Sequence, residues 1–298
     1  MNGGGDGGVT VTTVPESSDF PSSARCVVIG AGIVGNCLVG HLTRLGWTDL
    51  VLLDKGPLPN PGGSTGHASN FIFPTDHNKE MALLTLESQR QYVDHGMNNT
   101  CGGIEVARTE ERMEEFNRRM TSAKAWGIEA SLVTPAEVKE MVPFLDESVI
   151  LGGYYTPSVS VVDSLQTGTL MRDEAVAAGC RVFANTEVTD IEVVGGAVRA
   201  VVTDKGRIEC EHVAIACGVW SPRIAAMAGA TIPLTPAVHQ MADVGPIDIL
   251  QQSGTEVAYP IIRDMDTFCY ERQSSGSMEV GSYAHRPIFH HPDEIPSN

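Results

Sequence analysis

Three glycines and one aspartate carry the strongest chemical signal in these 298 residues: Gly30, Gly32 and Gly35 after the apolar run Cys26-Val27-Val28-Ile29, and Asp54 after Leu50-Val51-Leu52-Leu53. A G-x-G-x-x-G run that turns a buried strand into a helix uses its first glycine to bend. The second lets backbone approach a pyrophosphate, and the third lets helix and strand pack closely. The helix N-terminus then offers N–H groups and a positive dipole end to the phosphates. An acid some 20 residues further on accepts from a ribose hydroxyl, and Asp54 stands 19 residues past Gly35. The predicted chemistry is dinucleotide binding.

The elements around these residues suit that role. Residues 33–45 are amphipathic and stop at Gly46, while 50–53 are continuously apolar, as a parallel strand covered on both faces must be. The following segment, 55–69, holds three prolines and four glycines, so it predicts an irregular loop at the carboxyl ends of the strands. Open α/β sheets bind ligands there. A loop of that length suggests a cofactor larger than NAD. The β/α rhythm then lapses. Residues 79–95, 109–126 and 134–142 read as helices, the last opened by Thr134-Pro135-Ala136-Glu137 in capping-box register, and 103–107 reads as a strand. Rhythm returns with a helix over 163–178, a strand over 181–184, a meander over 187–194, 197–203 and 207–210, and a separate buried strand over 212–218. Ser221-Pro222 is expected to cap and start a short helix. Strand candidates at 238–244, 257–263, 268–272 and 278–283 close the chain.

Composition narrows the partners. A net charge of −17 repels phosphate backbones and anionic lipid, so neither nucleic acid nor a membrane surface is expected. Seven scattered cysteines without C-x-x-C predict free thiols in a reducing, cytoplasmic setting. His285, His290 and His291 lack a spaced further ligand, so no metal centre is expected. Residues 1–24 are Gly/Ser/Thr-rich and read as a disordered tail with neither signal nor transit character.

Several segments in fixed order resemble a known family. They are the glycine fingerprint with Asp54, Gly62-Gly63-Ser64-Thr65-Gly66-His67-Ala68, Gly152-Gly153-Tyr154-Tyr155-Thr156-Pro157, the meander, Ala216-Cys217-Gly218-Val219-Trp220, Pro233-Leu234-Thr235-Pro236-Ala237-Val238-His239-Gln240, and Gly281-Ser282-Tyr283-Ala284-His285-Arg286-Pro287. The set resembles FAD-dependent amine oxidoreductases of the D-amino acid oxidase type, above all dimethylglycine oxidase and the dimethylglycine and sarcosine dehydrogenases. The resemblance implies an α/β fold: a Rossmann-like FAD-binding domain interleaved with an antiparallel-sheet α+β substrate domain. The corresponding division is 25–95 with 151–228 for FAD and 96–150 with 229–298 for substrate.

It further implies FAD held by Gly30, Gly32, Gly35, Asp54, Lys55, Ser64, Thr65, His67, Val188 and Gly218, with Val188 meeting the adenine through its backbone and His67 bonded covalently to the flavin. His239 and Tyr270 match active-site residues, the first orienting the amine or acting as base, the second binding the substrate carboxylate. The implied reaction is hydride transfer from a secondary or tertiary N-methyl amino acid, with oxygen or an electron-transfer protein as acceptor. Where relatives carry Pro-x-Asp-Gly, this chain has Pro157-Ser158-Val159-Ser160, which implies a reshaped turn. Relatives also continue into a second flavin loop and often a folate-binding half, so a C-terminal or folate-binding partner is expected. The alternative reading is a truncated flavoprotein fragment that binds FAD weakly and catalyses nothing.

Overall fold

The computed structural model describes residues 19–296. In chain order, β1 (Ser23–Ile29), α1 (Ile33–Arg44) and β2 (Leu50–Leu53) lead to β3 (Phe71–Ile72), α2 (Lys79–Asp94), β4 (Asn98–Thr100), β5 (Gly103–Ala107) and α3 (Glu110–Trp126). Then come β6 (Ser131–Val133), α4 (Pro135–Met141), β7 (Gly152–Thr156), β8 (Ser160–Val162) and α5 (Ser164–Ala177). After β9 (Arg181–Phe183), β10 (Val188–Val194), β11 (Ala197–Thr203), β12 (Gly206–Ile215) and α6 (Ser221–Met227), the chain finishes with β13 (Gln240–Val244), α7 (Asp248–Ser253), β14 (Ile261–Asp264), β15 (Cys269–Ser274) and β16 (Ser277–Ser282). Of the expected disordered tail, 1–18 lie outside the described residues. Residues 19–24 are ordered: Phe20 meets the Phe183 ring edge-on at 5.2 Å, and β1 already begins at Ser23.

Two compact units emerge. The first holds residues 19–67, 168–234 and 292–296 of the described chain and is built on the sheet β10-β11-β12-β1-β2-β9. Strands β12, β1, β2 and β9 run parallel, and β10 and β11 extend the sheet antiparallel. Val27, Ile29, Val51 and Leu53 bury one face together with Ile224 and Met227 of α6, and Cys26, Val28, Leu50 and Leu52 bury the other with Val39 of α1 and Ala175 of α5. Gly40 lets α1 and α5 approach, since a Cβ there would lie 2.7 Å from Met171 Cε.

One expectation is corrected here: 207–210 and 212–218 are not two strands. The single strand β12 pairs antiparallel with β11 through its first residues and parallel with β1 from Glu209 to Ile215. Ser221, expected as a cap, sits inside the first helical turn of α6 with Trp220 as N-cap and makes no capping bond.

The second unit holds 68–167 and 235–291. Its main sheet, β13-β16-β15-β14-β5-β7-β6, is antiparallel except for the β14–β5 pair, and β3, β8 and β4 form a small sheet of their own. Residues 68–95 and 151–167, expected with the FAD-binding portion, therefore belong to this unit. The reason is pairing: β3 and β4 bond only to β8, and β7 bonds to β5 and β6. Thr134 and Glu137 form the reciprocal capping box that opens α4, and Gly127 closes α3 in the left-handed conformation. The Pro157–Val159 turn joins β7 to β8, with the Val159 N–H donating to Thr156 O at 3.3 Å. Inside the unit Arg119 grips Glu105 with both terminal nitrogens, at 2.9 and 2.5 Å, a pair buried on both sides.

Candidate functional site

The glycine turn is shaped by backbone on two sides. Gly30 has φ +103°, and a Cβ on it would lie 2.4 Å from Ala216 O; one on Gly35 would lie 1.8 Å from Gly30 O. The first obstacle cannot move without parting β1 from the end of β12, nor the second without parting α1 from β1. Gly32 differs. It is the N-cap of α1 with no side-chain cap and no acid in the first turn, and a Cβ there would meet only Thr65 Oγ1, at 3.0 Å. That space is open to an anion. Thr65 also accepts from the Ile33 N–H at 3.0 Å, so the Ser64–His67 segment, a single 3-10 turn within the loop expected to be irregular throughout, folds back onto the helix N-terminus.

Asp54 anchors the same turn. Its Oδ2 accepts from the Ala31 N–H at 2.6 Å and Oδ1 from the Gly56 N–H at 2.8 Å. Burial raises the carboxyl pKa, opposed by these two N–H groups and by Lys55. Lys55 lies with Nζ 4.5 Å from the Trp220 ring centroid, and Gly218, at φ +51°, opens the single turn that carries Trp220. His67 Nδ1 is 2.8 Å from Gly63 O and its side chain is exposed. Val188 is buried at the start of β10, opposite Thr203. The cradle closed at Gly30 and Gly35 and open at Gly32 fits a dinucleotide pyrophosphate. Among the described residues no group of His, Cys, Asp and Glu could hold a metal.

A second cluster forms on one face of the main sheet of the other unit. Strand register puts Glu105, Arg263, Tyr270, Gly281 and Met241 in a single transverse row across β5, β14, β15, β16 and β13. Cross-strand partners share a face, so these side chains emerge together. Gly281 is the gap that accommodates the tyrosine: a Cβ there would lie 2.1 Å from Tyr270 Cζ. Tyr270 Oη is 2.9 Å from His239 Nε2 and 2.8 Å from Ser69 Oγ, and Phe71 meets its ring edge-on at 5.0 Å. His239 stacks on Tyr283 at 4.2 Å and precedes β13 rather than lying within a strand.

Burial, then the charge on His285, lowers the His239 pKa. Burial raises that of Tyr270, against the Ser69 hydrogen bond. Thus His239 and Tyr270, singled out from the sequence, are joined by a hydrogen bond. Ser69, which was not, completes the cluster. Its only sequence signal is its place at the end of the Gly/Ser/Thr loop.

Residues 25–297 match the family described as FAD dependent oxidoreductase, DAO. The chain belongs to that family. Its cofactor is FAD, and the glycine cradle of the first unit fits that group. Mouse (Mus musculus) sarcosine dehydrogenase is 31% identical over 297 residues, 95% of this chain and 31% of that protein. Dimethylglycine dehydrogenase of Rattus norvegicus is 27% identical over 277 residues, 90% of this chain and 32% of that protein. The chain therefore spans about a third of the length of these curated relatives. Among solved structures, L-proline dehydrogenase from P. horikoshii superposes with a TM-score of 0.80 at 25% identity, covering 90% of this chain and 71% of that one. No helix among the described residues is long and apolar enough to cross a membrane.

Proposed function

We propose that the protein takes part in FAD-dependent oxidation of a secondary or tertiary N-methyl amino acid, with dimethylglycine and sarcosine as the first candidates. The observation that supports this most is the His239–Tyr270 hydrogen bond at 2.9 Å beside a surplus positive charge on the same sheet face. Two arginines, Arg119 and Arg263, share one carboxylate there: Arg119 is bidentate on Glu105, and Arg263 stands 3.9 Å from it. The excess charge suits a substrate carboxylate, with Tyr270 donating to it or to His239. His239, whose pKa is lowered by partial desolvation and then by His285, orients the amine or takes its proton, leaving the nitrogen lone pair free. FAD supplies the hydride acceptor when bound. Gly32 and the N-terminus of α1 meet the pyrophosphate, Asp54 a ribose hydroxyl, Val188 the adenine, and Lys55, Ser64, Thr65 and Gly218 the remainder; His67 forms the covalent link.

Oxygen or an electron-transfer protein would reoxidise the flavin, and a C-terminal or folate-binding partner would take up the product. Seven free thiols suit a reducing compartment, the cytoplasm in this reading, which cell fractionation would test. Anaerobic mixing with dimethylglycine or sarcosine tests the substrate: either amine should bleach the bound flavin. Bleaching by a hydroxy acid with neither amine active would reject it. The second reading, a flavin-binding part without turnover of its own, is favoured by β13, whose five residues are all exposed along the edge of the main sheet. Stoichiometric flavin with steady turnover by these 298 residues alone would reject that reading.

A further inference from the structure

Hydrogen counting around Tyr270 exposes a role for two residues that the reaction scheme leaves unused. Ser69 is buried, and its Oγ lies 2.8 Å from Tyr270 Oη and 3.1 Å from Met241 Sδ. Tyr270 Oη lies in turn 2.9 Å from His239 Nε2. Each hydroxyl owns one hydrogen, so the chain Met241–Ser69–Tyr270–His239 has two complete arrangements. In the first, Ser69 donates to Tyr270 and Tyr270 donates to an unprotonated His239 Nε2. In the second, protonated Nε2 donates to Tyr270, Tyr270 donates to Ser69, and Ser69 donates to the Met241 sulfur.

We propose that Ser69, with Met241 as its alternate acceptor, is a positioning residue that lets Tyr270 exchange donor and acceptor roles as His239 gains and loses a proton. The proposal rests on the functional reading above for its use in catalysis, though not for its geometry. When the substrate ammonium gives up its proton, the N–H bond breaks and a bond to His239 Nε2 forms, directly or with Tyr270 passing on its own hydrogen and receiving the substrate's. Both hydroxyls then rotate, and no donor is stranded. Without Ser69, protonated His239 would leave the buried Tyr270 hydrogen with no acceptor, whereas neutral His239 would leave only an under-used oxygen. A buried donor without a partner is the costlier defect. The surroundings are fixed by other groups: His285 acts on His239, Arg272 and Glu279 act on Tyr270, Tyr283 stacks on His239, and Arg263 is the cross-strand neighbour of Tyr270.

Imidazole 15N NMR of the intact protein tests this, with the His239 signal assigned by its loss in His239→Gln. Ser69→Ala should lower the His239 pKa by about one pH unit, the equivalent of one stranded donor. Met241→Leu, which keeps volume and removes the alternate acceptor, should lower it less, and Ser69→Thr should restore it. The pH profile of amine-dependent flavin bleaching should move with it. If the His239 titration is unchanged in Ser69→Ala and in Met241→Leu, the proposal is wrong. Should Ser69→Ala not fold, Met241→Leu alone decides. Absence of bleaching by any amine in the parent would reject the functional reading, while the titration would still judge the hydrogen-bond chain.

Discussion

At His239, burial and the neighbouring His285 hold the imidazole below its usual pKa of 6.5, so the neutral, proton-accepting form persists to lower pH than in a free histidine. Amine-dependent flavin bleaching should accordingly lose rate only below pH 6.5. The same depression makes the folded chain bind the proton less readily than the unfolded one, so this group's contribution to stability is present above pH 6.5 and is lost as pH falls through the lowered value. Replacing His239 by Ala should slow bleaching on the order of 10²-fold while flavin content stays constant, as stopped-flow absorbance would show. His67 makes a separate prediction. Flavin should remain with acid-precipitated polypeptide, and His67→Ala should release it; mass spectrometry of the loop peptide checks the linkage, and an unmodified peptide from fully flavin-loaded protein would contradict it.

Along β1 and α1, two glycines of one fingerprint should fail in different ways. Gly35→Ala drives a methyl against Gly30 O and should unfold the first unit, whereas Gly32→Val meets only the Thr65 hydroxyl, so it should fold and lose FAD. Circular dichroism beside flavin absorbance separates the two outcomes. Asp54→Ala belongs between them, because its carboxylate also ties the Ala31 and Gly56 N–H groups; a loss of about 1–3 kcal/mol should accompany the loss of cofactor. Much of this element was legible in the sequence, since four buried residues, a glycine pattern and an acid are all local signals. So was α4, whose capping box needs only Thr134 and Glu137. The continuity of β12 was not legible: its first half alternates as an antiparallel strand, its second half carries the β1 pairing, and Glu211-His212 at the junction read as a break. Ser69 was hidden for another reason. Its partner Tyr270 lies 201 positions away, and nothing near Ser69 announces that contact.

Across the whole molecule, the exposed edge of the main sheet is the feature with solution consequences. Met241 and Val244 are exposed on β13, a strand bonded on one side only to β16, which is a template for pairing with another chain. Val244→Lys should reduce self-association at high protein concentration with flavin content unchanged, measured by sedimentation velocity. The centre of that sheet has a history as well as a shape. Strand β5 borders β7 on one side and on the other waits for β14, which arrives roughly 160 residues later. At about 5–20 residues per second, the ribosome leaves the nascent chain on the order of ten seconds or more with one flank of β5 unpaired. Through that interval the strand that will carry Glu105 is a half-made surface. Its safe passage belongs to whatever shelters the emerging polypeptide, and the yield of intact protein should depend on chaperone supply more than on the stability of the finished fold.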